Sequence, residues 1–357
     1  MVGNDLAIPV AGLPISINRT HDPRFGDGND VGSNARLDYE SVRISKSGTL
    51  ATGWSGSKSG INYCVNESTL HLVTVNLREG ETYYFRPKVV FTTSSANCKN
   101  SAQEPSCYNF HPVRIDFTPA IPGLGSLSVP TPTDVGMDDQ FNGNWVSSLT
   151  VVNFDPDFGD PISDYDPPLS DFTFTAPDGT QYKFDSSGKL SQRIDRNNNS
   201  LTYASGSITH SSGRQVAFVR DGSSRITEIR DPIAVASSGV PALKYSYNAN
   251  GNLTNVARLI DRAGSGTYES TAFRYEDGAN THLITRVIDP RGITTVSNSY
   301  DSFGRLTRQY DALGNYTSFA YEDNGRSRWL RTGMDTRLAR SSPNQQNWKV
   351  FRTRKAP

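Results

Sequence analysis

Tyr300-Asp301-Ser302-Phe303-Gly304-Arg305-Leu306-Thr307, running on to Tyr310-Asp311, is the stretch that decides the fold. An aromatic–acid step is followed by two residues, a Gly, a basic or polar residue and a Leu, and a second Asp closes the unit. Phe184-Asp185-Ser186-Ser187-Gly188-Lys189-Leu190, running to Ile194-Asp195, is another copy. Gly has no Cβ and reaches the positive φ that tight hairpin turns require. The aromatic before the turn and the Leu after it fall on opposite strand arms and can share one face. Asp suits a corner because its carboxylate accepts neighbouring backbone N–H groups. A repeated strand-turn-strand unit builds a surface by stacking, and a stacked surface rarely carries chemistry of its own.

Working outward, Phe172 opens the pattern and it continues to about Tyr321, with Pro177-Asp178-Gly179 as its first turn. The residues read as structural are Gly188, Gly251, Gly292, Gly304 and Gly314 at turns, and Leu190, Leu253 and Leu306 for packing. Asp195, Asp289 and Asp311 are read as corners, and Tyr300 and Asp301 as the aromatic–acid step of the clearest copy. Upstream, Leu13, Ile15 and Ile17 alternate with Pro14, Ser16 and Asn18, which predicts a strand with one buried face. Leu37 to Ile44 reads as another strand, and Leu70 to Phe85 as a hairpin turning at Arg78-Glu79-Gly80-Glu81. Lys88 to Thr93 and Val113 to Phe117 add strands. Pro119 to Pro132, with four Pro and two Gly, reads as a linker or surface loop. No amphipathic helix of ten residues is legible. The expected organisation is an N-terminal β-domain (1–133), an acidic loop or linker (134–170), the repeats (171–324) and a basic tail (325–357).

Bulk composition agrees with an all-β chain. Of 357 residues only 35% are hydrophobic, with 30 Gly and 20 Pro, which suits a turn-rich protein with a thin core. Tyr and Phe, 16 each, supply much of the apolar area and favour strands. The 36 basic and 36 acidic residues balance, but 325–357 holds nine Lys or Arg against the single acid Asp335. That tail reads as a solvated or disordered end rather than a specific nucleic-acid site. No stretch approaches the roughly 20 apolar residues that span a bilayer, and no signal peptide is visible at Met1-Val2-Gly3-Asn4-Asp5.

The repeat region, 172–322, resembles the RHS or YD-repeat family. The resemblance is carried by Asp178-Gly179-Thr180-Gln181-Tyr182-Lys183-Phe184-Asp185, then Gly188-Lys189-Leu190, then Asp195 through Tyr203. Asp231-Pro232, Tyr247 through Thr254, Asp289-Pro290-Arg291-Gly292 and Asp311 through Thr317 continue it. Gly12 through Asp22 is similar to the strand that precedes the repeats in bacterial RHS proteins, with His21 where Tyr is usual. The Gly-rich step that follows there is eroded to Gly26-Asp27-Gly28 and Val31-Gly32. The resemblance implies an antiparallel β-shell or cocoon that encloses or displays a C-terminal toxin, or mediates cell-surface contact and intercellular competition. It also implies a secreted or cell-surface location, with an enclosed toxin or further shell repeats as partners. Asp289-Pro290-Arg291-Gly292 is the ordinary repeat corner rather than a self-cleaving end, so the chain is expected to be a partial member.

Chemical alternatives are thinner. Asp155, Asp157 and Asp160, with Asp164 and Asp166 nearby, offer hard oxygen ligands for Ca²⁺. They lack the Gly and Glu of a helix-loop-helix site, and the solvated-loop reading is preferred. Ser55-Gly56-Ser57-Lys58 fits Ser-x-x-Lys but lies among Gly and Ser rather than at a helix start. His21, His71, His111, His210 and His282 show no metal-ligand spacing and read as surface or strand-pairing residues. Cys98 and Cys107 flank a polar loop and could form a disulfide, leaving Cys64 over. Trp145 and the repeat tyrosines could stack on sugars, so a carbohydrate-binding surface protein or a secreted glycan hydrolase is the rival to a non-enzymatic structural role. No cofactor is expected.

Overall fold

The computed structural model describes residues 2–26, 30–59, 62–78, 81–92, 111–130, 134–138, 149–155, 161–237, 239–321 and 327–334. The fold is all-β, as the repeats predict. Among the described residues strands are joined by short turns, with one six-residue α-helix, Pro232–Ser237. The chain forms two compact units. One comprises Ala7–Ile17 and Leu37–Val216, the other Met1–Leu6, Asn18–Arg36 and Ala217–Pro357. This division cuts across the four segments read from the sequence.

In the first unit, seven antiparallel strands lie in the order Pro161–Asp164, Thr150–Phe154, Val135–Asp138, His111–Pro119, Glu81–Phe91, Val73–Arg78 and Arg43–Lys46. The predicted Leu70–Phe85 hairpin is here, with Val73 opposite Phe85. Period-two alternation sends Val73, Val75 and Phe85 inward and leaves Tyr84 exposed. These side chains meet Phe172, Phe174, Phe184 and Leu190 from the start of the repeats in one core cluster. Aromatic contacts tie it: Tyr83 and Phe85 lie 4.8 and 5.9 Å from Phe174, and Phe117 lies 5.4 Å from Phe172. The repeat strands of this unit, Thr173–Thr175, Gln181–Phe184, Leu190–Ile194, Ser200–Ala204 and Ser207–His210, pair antiparallel in chain order.

Three expectations need correction. The stretch 134–170 is not a linker: it supplies three sheet strands, and Val135, Met137, Leu149 and Val151 are buried around Trp54. Its acidic residues concealed a short apolar alternation. The proline-rich stretch 119–132 contains Ser126–Ser128, which pairs with Thr173–Thr175 and buries Leu127. The basic tail begins with a strand, Ser327–Met334, paired with Asn315–Tyr321, so the array runs past residue 324. Residues 335–357 lie outside those described.

In the second unit, Ile226–Arg230, Leu243–Tyr247, Leu253–Asp261, Thr267–Arg274, Arg286–Ile288, Thr294–Tyr300, Leu306–Asp311, Asn315–Tyr321 and Ser327–Met334 pair antiparallel in succession. N-terminal residues are fastened to this sheet by buried charge. Arg19 bonds Asp5 at 2.9 Å, Tyr245 donates its hydroxyl to Asp5 at 2.6 Å, and the Arg19 guanidinium lies 5.1 Å from the Phe273 ring centre.

Candidate functional site

The repeating element that the sequence singles out is a five-residue corner with an acceptor side chain at its first position. In the corner 185–189, Gly188 N–H donates to the Asp185 carbonyl at 2.9 Å and Asp185 N–H to the Lys189 carbonyl at 2.8 Å. Gly188 sits at φ +78°. This is a β-turn followed by a left-handed residue, the three-residue hairpin loop whose extra residue makes a bulge. Accordingly the pairing shifts register at the corner, and the flanking residues face each other: Phe184 with Leu190, Tyr247 with Leu253, Tyr300 with Leu306. The expected sharing of a face by aromatic and Leu takes this form.

One side-chain oxygen then holds two backbone N–H groups, at the third and fifth positions. Asp185 accepts from Ser187 and Lys189 at 2.8 and 2.9 Å, and Asp301 from Phe303 and Arg305, both at 2.9 Å. Asp195, Asp221, Asp289 and Asp311 do the same, all between 2.8 and 3.0 Å, and Asn248 does so at 3.1 and 3.0 Å. At five of the six Asp the second carboxylate oxygen takes a side chain from the corner. It receives Asn199 Nδ2 at Asp195 and Asn315 Nδ2 at Asp311, each at 2.8 Å, and Arg225 Nε at Asp221 and Arg305 Nε at Asp301, at 2.9 and 2.8 Å. The Asp closing one unit therefore heads the next corner rather than serving a separate role.

These bonds favour the ionised carboxylate, and the six corner Asp are held below the usual carboxylate range. At Asp185, Asp221 and Asp301 desolvation acts upward but the hydrogen bonds outweigh it. At Asp195 and Asp311 the largest cause is the Asn amide, and at Asp289 the Ile293 N–H.

Residues 300–328 match the RHS Repeat family. The chain carries an RHS repeat. The matched span opens on Tyr300 and holds the corners headed by Asp301 and Asp311. Similar solved structures include TcdB2-TccC3-Cdc42, at 13% identity and TM-score 0.28 over 74% of this chain and 16% of that one. TcdB2-TccC3 aligns at 12% identity and TM-score 0.29 over 90% of this chain and 19% of that one. A Photorhabdus luminescens Tc holotoxin pore aligns at 12% identity and TM-score 0.18 over 88% and 21%. The chain thus spans less than a fifth of the length of the first two. No curated protein matches it.

The corners are stitched to one another by tyrosine. Ile226, Leu253 and Leu306 each follow a corner, and their carbonyls accept the hydroxyls of Tyr247, Tyr275 and Tyr321 at 2.5, 2.9 and 2.8 Å. Tyr247 and Tyr321 end the next strand on the same edge of the sheet, and Tyr275 directly follows it. The fifth-position Arg joins in: Arg225, paired with Asp221, lies 4.5 Å from the Tyr247 ring centre, and Arg305, paired with Asp301, 4.7 Å from that of Tyr321. Burial pushes the Tyr247 and Tyr275 hydroxyls well up, and that of Tyr300 to about 12.

Three corner residues escaped the sequence reading. Asn198 and Ser224, both at φ 64°, occupy the place where Gly was expected throughout. Asn tolerates the left-handed region because its side chain bonds locally; the Ser224 carbonyl is held by Arg220 Nη1 at 2.6 Å. His210 heads a corner in place of Asp, its Nδ1 accepting Ser212 N–H at 2.9 Å while Gly213 stands at φ +82°. A His followed three residues later by Gly was the available signal.

The chemical candidates are dispersed. Asp157, Asp160, Cys98, Cys107 and Trp145 lie outside the described residues, and among the described residues no three His, Cys, Asp or Glu are grouped to hold a metal. Asp166 is engaged with Lys46 Nζ at 2.6 Å and Leu50 N–H at 3.0 Å. Ser55 and Lys58 lie on the strand Trp54–Ser59, away from any helix start. His71 is neither a surface nor a strand-pairing residue: it is buried, stacked 4.5 Å from Trp54, between Glu67 Oε1 at 3.2 Å and the Thr52 carbonyl at 2.8 Å. Among the described residues no helix is long and apolar enough to cross a membrane.

Proposed function

We propose that this chain is wall material: a non-catalytic RHS-type scaffold that encloses or displays a toxin-like polypeptide at the cell surface or after secretion. The observation that supports this is the commitment of the corner carboxylates. Each of the six corner Asp has one oxygen on two backbone amides of its own turn, which uses the acid to shape the sheet. Protease protection tests the reading. Fused in frame at its C-terminus to a toxin-like polypeptide, this chain should shield that segment from trypsin at protease levels that digest the segment alone. Equal digestion rates would sink enclosure.

A sugar-binding surface is the second reading. Tyr310 and Tyr316 pair at 5.6 Å with Arg308 placed 5.4 Å from the Tyr316 ring centre, on a strand pair with no fully buried residue. A glycan array decides it: saturable binding lost in Tyr316→Ala supports this reading, and silence across the array removes it.

A further inference from the structure

The corners of the unit that contains Ala217–Pro357 alternate between the two edges of its sheet, because successive strands are antiparallel. One edge carries the corners at 248–252 and 301–305. The other carries 231–242, 261–266, 289–293 and 311–315. The first edge is partly covered within the unit: Ser33 N–H donates to the Gly251 carbonyl at 3.0 Å, and Asn280 Oδ1 would lie 3.0 Å from a Cβ on Gly304. The other edge presents a row of apolar side chains, Ile233, Ile260, Ile293 and Leu313, exposed by 62, 60, 42 and 81%.

The unit comprising Ala7–Ile17 and Leu37–Val216 shows what such an edge holds. There the corner at 195–199 has Asn199 Nδ2 on Asp195 Oδ2 at 2.8 Å, the same construction as Asn315 on Asp311 at 2.8 Å. Gly12 lies against it so closely that a Cβ would fall 2.2 Å from Asn199 Nδ2. Two strands further along, Arg214 Nη1 donates to the Pro9 carbonyl at 3.2 Å. Two strand spacings are about 10 Å, and Pro9 and Gly12 reach corners two strands apart although the chain bends at Ala11–Leu13, where Gly12 stands at φ +81°. The cover is an apolar segment with proline and a glycine in the left-handed region. Arg291, three-quarters exposed, and Asn315 stand on corners likewise two strands apart, next to Ile293 and Leu313.

We propose that this apolar edge is a docking site for an apolar, glycine-containing peptide of a partner polypeptide. Arg291 donates to a peptide carbonyl, and a glycine three residues later lies over Asn315. Ile293 and Leu313 supply the apolar floor. In chain order the Arg corner here precedes the Asn corner, the reverse of Asn199 and Arg214.

The test is fluorescence anisotropy of a labelled peptide of sequence Ala-Ile-Pro-Val-Ala-Gly-Leu-Pro, titrated with the intact chain. The inference expects saturable binding, weakened at least about tenfold in Ile293→Asp/Leu313→Asp and by Val in place of the peptide's Gly. Phe303→Asp, on the opposite edge, should leave binding unchanged. All three protein positions are exposed, and matching unfolding midpoints will show that the variants fold. No saturable binding up to about 1 mM overturns the proposal. So does equal loss in Phe303→Asp, or sedimentation showing that a second copy of the chain occupies this edge.

Discussion

Gly188 and Gly292 hold the same place in two corners, at φ +78° and +80°, and their surroundings separate two costs of substitution. A Cβ on Gly292 would meet nothing within 4 Å, so Gly292→Ala carries only the left-handed backbone cost of about 1–2 kcal/mol. A Cβ on Gly188 would fall 2.2 Å from the Ile44 carbonyl oxygen, so Gly188→Ala must also displace backbone. Urea unfolding should place Gly188→Ala at least about 2 kcal/mol below Gly292→Ala; equal midpoints would contradict the crowding. Tyr247→Phe isolates the stitch. It strips the Ile226 carbonyl of its hydroxyl partner and is expected to cost about 1–3 kcal/mol, against under about 0.5 kcal/mol for Tyr310→Phe in the same unfolding experiment. Turn glycines were legible because no other residue takes positive φ so readily. Asn198 and Ser224 were not, because they take the same φ of 64° without being Gly, and His210 was not, because it heads its corner through Nδ1 rather than a carboxylate.

At the scale of the element, the hairpin is a local object and its fastening is not. The corner, its bulge and the facing of Tyr300 with Leu306 all follow from residues within seven positions of one another. The tyrosine stitches span 15 to 22 residues, and the Asp5–Tyr245 bond spans 240. Nothing in the sequence pairs those partners. The buried Asp5–Arg19 pair gives a direct check on this fastening. Burial acts against the Arg19 charge, yet Asp5 outweighs it and holds the guanidinium's pKa up. Asp5→Ala would leave that charge unpaired and should cost about 3–5 kcal/mol, whereas Asp5→Ala/Arg19→Met should recover much of it. Additive losses in chemical denaturation would contradict the pairing.

Over the whole molecule, the repeat region was legible, and so was the Leu70–Phe85 hairpin of the N-terminal half, but the strands of 134–170 were not. The repeats announce themselves because each corner needs the same few residues. The strands in 134–170 were hidden because apolar alternation of four or five residues is short and the segment is acidic. The candidate acids were legible as residues, but their role depends on a geometry shared by every corner. That role fixes a pH dependence. A carboxylate held below its unfolded value adds stability above that value and loses it as pH falls through the folded one. The chain should therefore weaken on acidification below about pH 4. The most direct measurement is a carbon-13 NMR titration of the side-chain carboxyls of Asp185, Asp195, Asp221, Asp289, Asp301 and Asp311 in the intact chain. The account predicts that all six titrate below the ordinary aspartate value of about 3.9. Titration at or above that value would show carboxylates not committed to their corners, and would contradict it.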